Sequence, residues 1–216
     1  MTLVKHALLT AAILLTTHSM ASAAVVSFSS AFGPTRTDFT TGALTLQSFN
    51  PTIGTLTGVQ LSLTGTGNFG GTVTNNGTMA ETFTLNENTT LTISSATAGL
   101  NGLNTNFASS QTFANLASGT TANFGPFSPS NTTTATPGNL AAFQAGPLSF
   151  TASTLTTTGD VGRGGNVITS FDTVASGVVT VTYTYDAPRT AVPEPASMAL
   201  LGAGLAGLGL IRRRKA

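Results

Sequence analysis

Apolar and polar residues alternate along several runs of this chain, and this period of two constrains its fold more than any other feature. In residues 178–185, Val179, Val181 and Tyr183 fall on one face of an extended strand, and the intervening threonines fall on the other. Successive side chains of a strand point to opposite faces, so such a run packs one face on a core and leaves the other in solvent. Weaker runs of the same period occur at residues 59–63, 83–85, 91–93 and 148–152.

Turn signals separate these runs. The candidate turns are Asn50-Pro51, residues 65–71, Asn75-Asn76-Gly77, Pro137-Gly138 and residues 159–166. Short alternating strands between regularly spaced turns are typical of an antiparallel β-sandwich, and we predict an all-β fold of about 8–10 strands. Residues 139–144 are predicted as the one short helix of this region. Residues 101–139 have weak periodicity and three prolines, and they are predicted as a long loop or an irregular edge.

Residues 24–191, the body of the chain, lack several chemically versatile residue types. The whole chain has 42 threonines but no Cys and no Trp, and its two histidines and two lysines all lie outside the body. Threonine is β-branched and suits the solvent face of a sheet. The body therefore cannot hold a nucleophile activated by histidine or a zinc site built from Cys and His. The body contains three arginines and six carboxylates, so its net charge is negative, which disfavours nucleic acid as a partner. We also expect no cofactor and no metal.

The first 23 residues have the three parts of a secretory signal peptide. Lys5 supplies a positive charge, residues 7–17 form an apolar stretch, and Ala21-Ser22-Ala23 matches a small-x-small cleavage site. The apolar stretch is too short for a comfortable span of a bilayer core of about 30 Å. We predict a signal-peptide helix that directs export through the Sec translocon, with cleavage by signal peptidase after Ala23 or Ala24.

The last residues combine a proline-rich segment, an apolar helix and a basic cluster. Sixteen uncharged residues, 196–211, would span about 24 Å as a helix, and the flanking basic side chains can snorkel to the interface. Basic residues stay cytoplasmic, so the body lies on the outer side. The predicted transmembrane residues include Ala196, Leu200, Leu201, Leu205, Leu208, Leu210 and Ile211. The predicted stop-transfer residues are Arg212, Arg213, Arg214 and Lys215.

The order of these parts resembles a known sorting signal. Val192-Pro193-Glu194-Pro195, the Gly- and Leu-rich helix and the terminal arginine cluster are similar to the PEP-CTERM signal. The resemblance implies an exported protein of a Gram-negative bacterium that makes exopolysaccharide. It implies an inner-membrane anchor until an exosortase recognises and cuts the tail. By this resemblance Val192, Pro193, Glu194 and Pro195 form a substrate's recognition motif and catalyse nothing.

The body carries a second resemblance. Residues 49–59, 61–63, 73–75 and 181–185 look like the corresponding segments of the choice-of-anchor E domain, over roughly residues 25–186. That family is a bacterial surface domain found with alternative anchoring tails. It has no established activity, so the resemblance implies a location and no chemistry.

A pair of carboxylates is the remaining catalytic arrangement. A glycosidase needs two of them about 5–9.5 Å apart. Glu81 and Glu87 share a face of a continuous strand, but six residues separate them by about 20 Å unless a turn at residues 86–88 brings them closer. We favour two solvent-facing strand residues, and we expect Asp160 and Asp172 in turns or at edges. A calcium loop at residues 160–166 is disfavoured because it lacks a second acid.

The absence of Trp also weakens a sugar-binding platform. The 13 Phe residues are expected in the core. Sequons at Asn76, Asn88 and Asn131 are weak signals in so threonine-rich a chain.

We therefore expect a non-enzymatic protein of the cell envelope or biofilm matrix. The alternatives are an exopolysaccharide-binding module and, less favoured, a carboxylate-only hydrolase. The expected domains are a signal peptide (1–23), a β-sandwich (24–187), and a linker with the sorting and anchor segment (188–216). After processing, the periplasm, the cell surface or the extracellular matrix is the expected location.

Overall fold

Nine antiparallel strands make up most of the structure, a computed structural model that describes residues 23–40, 44–162, 164–188 and 201–205. The prediction of an antiparallel sandwich of about 8–10 strands is confirmed for these residues. The strands are β1 (Ala23–Arg36), β2 (Leu44–Leu46), β3 (Thr55–Asn75), β4 (Glu81–Ser95), β5 (Leu100–Leu116), β6 (Thr121–Phe127), β7 (Ser130–Ala135), β8 (Leu148–Val161) and β9 (Val167–Asp186). Short 3₁₀ helices lie at Pro51–Ile53 and Leu140–Phe143, the second inside the predicted helix.

The strands pair as nested antiparallel partners. β4 pairs with β5, β3 with both β6 and β7, β2 with β8, and β1 with β9. Further pairing of β9 with β3 and of β8 with β4 rolls this ribbon into two sheets, ordered β1-β9-β3-β6 and β2-β8-β4-β5. This nesting is the strand order of a double-sheet jelly roll.

Aromatic and aliphatic side chains fill the space between the two sheets. Val179, Val181 and Tyr183 are fully buried, as the alternation in β9 predicts. The prediction that phenylalanine belongs to the core is also confirmed. Nine of the 13 Phe residues are buried, and the other four are partly buried and pack against the same cluster.

The outer faces of the sheets carry rows of paired hydroxyl groups. Side-chain oxygens on neighbouring strands lie 2.8–3.2 Å apart in exposed cross-strand pairs. These pairs are Ser27 with Thr182, Ser29 with Thr180, Thr64 with Thr132, Thr66 with Ser130, Thr74 with Thr121, and Thr84 with Thr112. The abundant threonine thus coats the sandwich, as cross-strand pairs of hydroxyl residues commonly do.

The prediction of a loop or irregular edge at residues 101–139 is wrong for most of this segment, which contains β5, β6 and β7. Leu103, Thr105 and Phe107 occupy every second position of β5 and are buried. The polar Thr105 at an inward position weakened the periodic signal. The prolines do not end the pairing, because β6 and β7 lie one after the other along β3, with Pro129 between them.

The prediction of a turn at residues 65–71 is also wrong, since β3 continues through this segment. Gly65 and Gly67 face the interior, where a Cβ atom on either would lie 2.7 Å from the ring of Phe107. These glycines allow the two sheets to approach closely and do not turn the chain. The turn after Asn75 is confirmed, and the side-chain oxygen of Asn75 accepts a hydrogen bond of 2.8 Å from the amide of Gly77.

Candidate functional site

Glu87 is the carboxylate that the structure places most differently from the sequence expectation. β4 is continuous from Glu81 to Ser95, so no turn at residues 86–88 brings Glu81 and Glu87 together. Both residues share one face of the strand, as predicted, but that face is the interior. Glu87 is 1% exposed, which corrects the expectation that it faces solvent. Phe83, Leu85 and Glu87 occupy every second position of β4 and all point to the interior. This spacing was the sequence signal for the burial of Glu87.

A layer of buried polar side chains surrounds Glu87 between the sheets. The hydroxyl of Thr173 donates a hydrogen bond to Oε1 of Glu87. The hydroxyl of Thr89 pairs with that of Thr156 at 2.8 Å. Among the described residues, two buried side-chain oxygens have no hydrogen-bond partner, Oε2 of Glu87 and Oγ1 of Thr105. Buried polar atoms are nearly always paired, so the unpaired oxygen of Glu87 marks this part of the molecule. Thr105 lies further along the sheet, opposite Leu91.

A pocket of about 310 Å³ opens onto this layer from the side of the sandwich. Its walls come from the end of β1 and from β4, β8 and β9. The lining residues are Arg36, Thr37, Asp38, Glu87, Thr156, Thr158, Phe171 and Thr173.

The rim of the pocket is the segment that crosses from β1 to the other sheet. The amide of Thr37 donates to the carbonyl of Thr173 at 3.1 Å. Oδ1 of Asp38 accepts a hydrogen bond of 2.7 Å from the amide of Thr156. One contact lies on each sheet, so the rim is tied to both walls of the pocket.

An ion pair lies at the outer edge of the rim. Nη2 of Arg36 donates to Oδ1 of Asp172 at 2.8 Å, and the two side chains are 77% and 67% exposed. Exposed ion pairs add little to stability. The carboxylate of Asp172 does, however, neutralise part of the positive charge that Arg36 brings to the edge of the pocket.

Burial is the main influence on the electrostatics of Glu87. It raises the pKa of the Glu87 carboxyl above its ordinary value, while the hydrogen bond from Thr173 lowers it. Burial therefore favours the protonated form of this carboxyl more than it would for an exposed glutamate. The pocket therefore offers an inner carboxyl, a rim carboxylate on Asp38 and several hydroxyl groups. No sequence pattern places Glu87 and Asp38 together, since they lie 49 positions apart along the chain.

The described residues contain no group of three or more His, Cys, Asp or Glu side chains that could hold a metal ion. The predicted calcium loop lies where β8 ends at Val161 and the chain turns into β9, and Arg163 within it lies outside the described residues.

Most of the predicted sorting and anchor residues lie outside the described residues. These are Ala21, Val192, Pro193, Glu194, Pro195, Ala196, Leu200, Leu208, Leu210, Ile211, Arg212, Arg213, Arg214 and Lys215. Ala23, the predicted cleavage residue, is the first residue of β1. Leu201 and Leu205 lie at the ends of a described helical stretch, 201–205, and both are exposed. Within the described part of the chain, no helix reaches the length and apolarity needed to cross a bilayer.

Comparison with known proteins identifies the C-terminal segment. Residues 191–215 match the PEP-CTERM protein-sorting motif. This motif indicates an exported protein that is anchored at the membrane before processing and is sorted to the cell surface by an exosortase. The resemblance seen in the tail is confirmed. No functionally curated protein is similar to the chain.

Several solved structures match the chain at low sequence identity and with low TM-scores. A pilus protein of Bacillus endospore appendages is 12% identical, with 76% of this chain and 92% of that one covered and a TM-score of 0.23. The VP2 subviral particle of infectious bursal disease virus is 13% identical, with 77% and 37% covered and a TM-score of 0.22. The Ulex lectin UEA-II, solved with galactose, is 11% identical, with 72% and 98% covered and a TM-score of 0.17.

Proposed function

We propose that this chain is a non-enzymatic structural protein of the bacterial cell envelope or biofilm matrix. Residues 24–187 make up its surface domain, of the choice-of-anchor E type. The observation that carries the proposal is the sorting motif at residues 191–215, which follows a long-stranded jelly roll by only a few residues. A sorting signal beside a folded domain is what a displayed protein requires.

The surface of the sandwich supports a structural role outside the cell. Its solvent faces consist largely of paired hydroxyl groups and carry few charges. Because the chain has no cysteine, its stability comes from burial and from backbone pairing over strands of up to 21 residues. Such a domain is independent of the redox state of its surroundings.

The proposed route begins with the Sec translocon and signal peptidase, which recognise residues 1–23. The helix of the tail then holds the protein in the inner membrane of a Gram-negative bacterium. Exosortase processing at the sorting motif moves it to the periplasm, the cell surface or the extracellular matrix.

Substitution of the acidic residue of the sorting motif tests this proposal. Glu194→Ala is expected to block maturation, so that the uncleaved chain accumulates in the membrane fraction of the native host. Glu81→Ala removes a carboxylate of the folded domain and serves as the matched control, with processing expected to be normal. Mature Glu194→Ala protein in wild-type amounts would count against exosortase recognition.

Glycan binding is a second candidate function, because a pocket with hydroxyl and carboxyl groups is lined by Glu87, and one buried oxygen of Glu87 has no partner among the described residues. A surface protein that binds the exopolysaccharide around its own cell would be retained there even after its tail is removed.

A further inference from the structure

The interior of the sandwich contains a hydrogen-bonding group that the fold leaves unused. Glu87 is almost completely buried, and only one of its two carboxyl oxygens has a partner, the hydroxyl of Thr173. An apolar residue at this position would complete the series of Phe83 and Leu85 and would bury no carboxyl group. An unsatisfied group of this kind is costly in the folded state and is explained when a bound molecule supplies the missing partner.

The pocket beside this group has the dimensions of a small-ligand site. Its volume of about 310 Å³ lies at the lower end of the range for such sites, which runs from about 300 to 1,000 Å³. That space suits one sugar ring. The pocket is also open to solvent at its rim, so the rest of a longer chain can remain outside.

The lining combines hydroxyl groups with an aromatic face. The hydroxyls of Thr156 and Thr158 can both donate and accept hydrogen bonds, and the carboxyl of Asp38 accepts them. Phe171 is partly buried and supplies apolar surface for the C–H face of a sugar. Sugars present alternating hydroxyl and C–H groups, so this mixture of polar and apolar lining complements them.

The charges of the lining disfavour other ligands. A divalent cation would meet the guanidinium of Arg36 in the same pocket, and the Asp38 carboxylate already accepts the amide hydrogen bond from Thr156. An acidic sugar would meet two carboxyl groups. A neutral sugar meets neither obstacle.

We propose that the Glu87 pocket binds one sugar unit of a neutral glycan, with a small rotation of the buried Glu87 carboxyl bringing its unpaired oxygen to a sugar hydroxyl at the inner wall. This inference rests on the second proposed function, glycan binding, and gives it a site and a ligand class.

Ligand-observed NMR on the full-length chain tests the proposal. The protein is held in a detergent without a sugar headgroup, because an alkyl glycoside would compete for the site. Methyl glycosides of glucose, galactose, mannose, rhamnose, xylose and N-acetylglucosamine are titrated in turn, with glucuronate and calcium chloride as the charged probes. At least one neutral glycoside is expected to give saturable binding.

Two variants and a matched control locate the site. Glu87→Met is expected to weaken binding of that glycoside by about tenfold or more, which is typical for the loss of a hydrogen bond to a charged group. Thr173→Val removes only the hydroxyl beside Glu87, and it is expected to weaken binding as well. Glu81→Met, six residues earlier on the same face of β4, should bind like the wild type. Circular dichroism melting curves establish that each variant is folded.

Three results would overturn the proposal: no neutral glycoside binds the wild type, only glucuronate or calcium binds, or both pocket variants bind as well as the Glu81→Met control. None of these results would contradict the proposed surface sorting, because sorting is tested separately by the processing of Glu194→Ala.

Discussion

Tyr183 and Glu87 are both polar residues buried between the sheets, but their surroundings differ completely. The hydroxyl of Tyr183 donates a hydrogen bond of 2.8 Å to the carbonyl of Gln47. Its ring packs against Phe28, Phe49 and Phe143, with centroid distances of 6.1, 5.7 and 6.4 Å. Glu87 instead leaves one oxygen unpaired and lines a pocket that is open at the surface.

The difference separates two uses of a buried polar group. A group whose hydrogen bonds are all made within the fold, such as Tyr183, fixes the packing of the core. A group whose bonding is incomplete, such as Glu87, lowers stability and is characteristic of a site that a ligand completes. The Tyr183 region should therefore respond to substitution as a core, and the Glu87 region as a binding site.

The largest expected effect is in the Tyr183 region. Tyr183→Ala should lower the free energy of unfolding by about 3–5 kcal/mol, because it removes a fully buried aromatic ring and leaves a cavity. Val25→Ala, on the exposed face of β1, is the control and should change it by less than about 0.5 kcal/mol. Urea denaturation followed by circular dichroism measures both. A loss below 1 kcal/mol for Tyr183→Ala would show that this region is not a tightly packed core.

An intermediate effect is expected where the sheets are in closest contact. Gly67→Ala places a Cβ atom 2.6 Å from the ring of Phe69 and 2.7 Å from that of Phe107, and should cost about 1–3 kcal/mol through overpacking. Gly159→Ala, in β8, is the matched control, since no atom lies within 4 Å of its Cβ position. The same denaturation measurement compares the two variants. Equal stability would contradict the packing of β3 against β5.

The smallest expected effect is a gain in stability. At neutral pH Glu87→Met should raise the free energy of unfolding by about 1 kcal/mol, because an apolar side chain replaces a buried carboxyl with one unpaired oxygen, which outweighs the loss of the acceptor of Thr173. The sign of its pH dependence follows from burial, which raises the pKa of Glu87 above 4.5. The folded wild type binds this proton more tightly than the unfolded chain does. The contribution of Glu87 to stability is thus complete below pH 4.5 and is lost as the pH rises through the folded pKa.

Denaturation curves at several pH values test this sign. The advantage of Glu87→Met over the wild type should grow with pH across that window, while Arg36 and Asp38, which face the same pocket, are present in both proteins. An advantage that shrinks as the pH rises would mean that the Glu87 carboxylate is stabilised by the fold.

Strand alternation predicted the fold where apolar side chains mark every second position. The run from Val179 to Tyr183 is the clearest case, and it forms the buried face of β9. The prediction failed where small or polar residues take inward positions, as in β5, because an inward Thr105 looks the same in sequence as an outward threonine. Gly65 and Gly67 were mistaken for a turn because a sequence does not show which glycines face another sheet.

The candidate site was less predictable than the fold. The spacing from Phe83 and Leu85 could have predicted that Glu87 points inward. Its neighbours Asp38, Thr156 and Thr173, however, come from distant parts of the chain. Only the nested pairing of the jelly roll brings them together. The sorting motif needed no tertiary structure, because its recognition depends on a short linear segment.

The most direct test of export and tail processing is the intact mass of the protein recovered from its native host, measured separately in the membrane, periplasmic and medium fractions. We expect a mature chain that begins after Ala23 or Ala24, ends near residues 192–195, and is found outside the inner membrane. A chain that retains Arg212, Arg213, Arg214 and Lys215 in the membrane fraction, with no shorter form elsewhere, would contradict it.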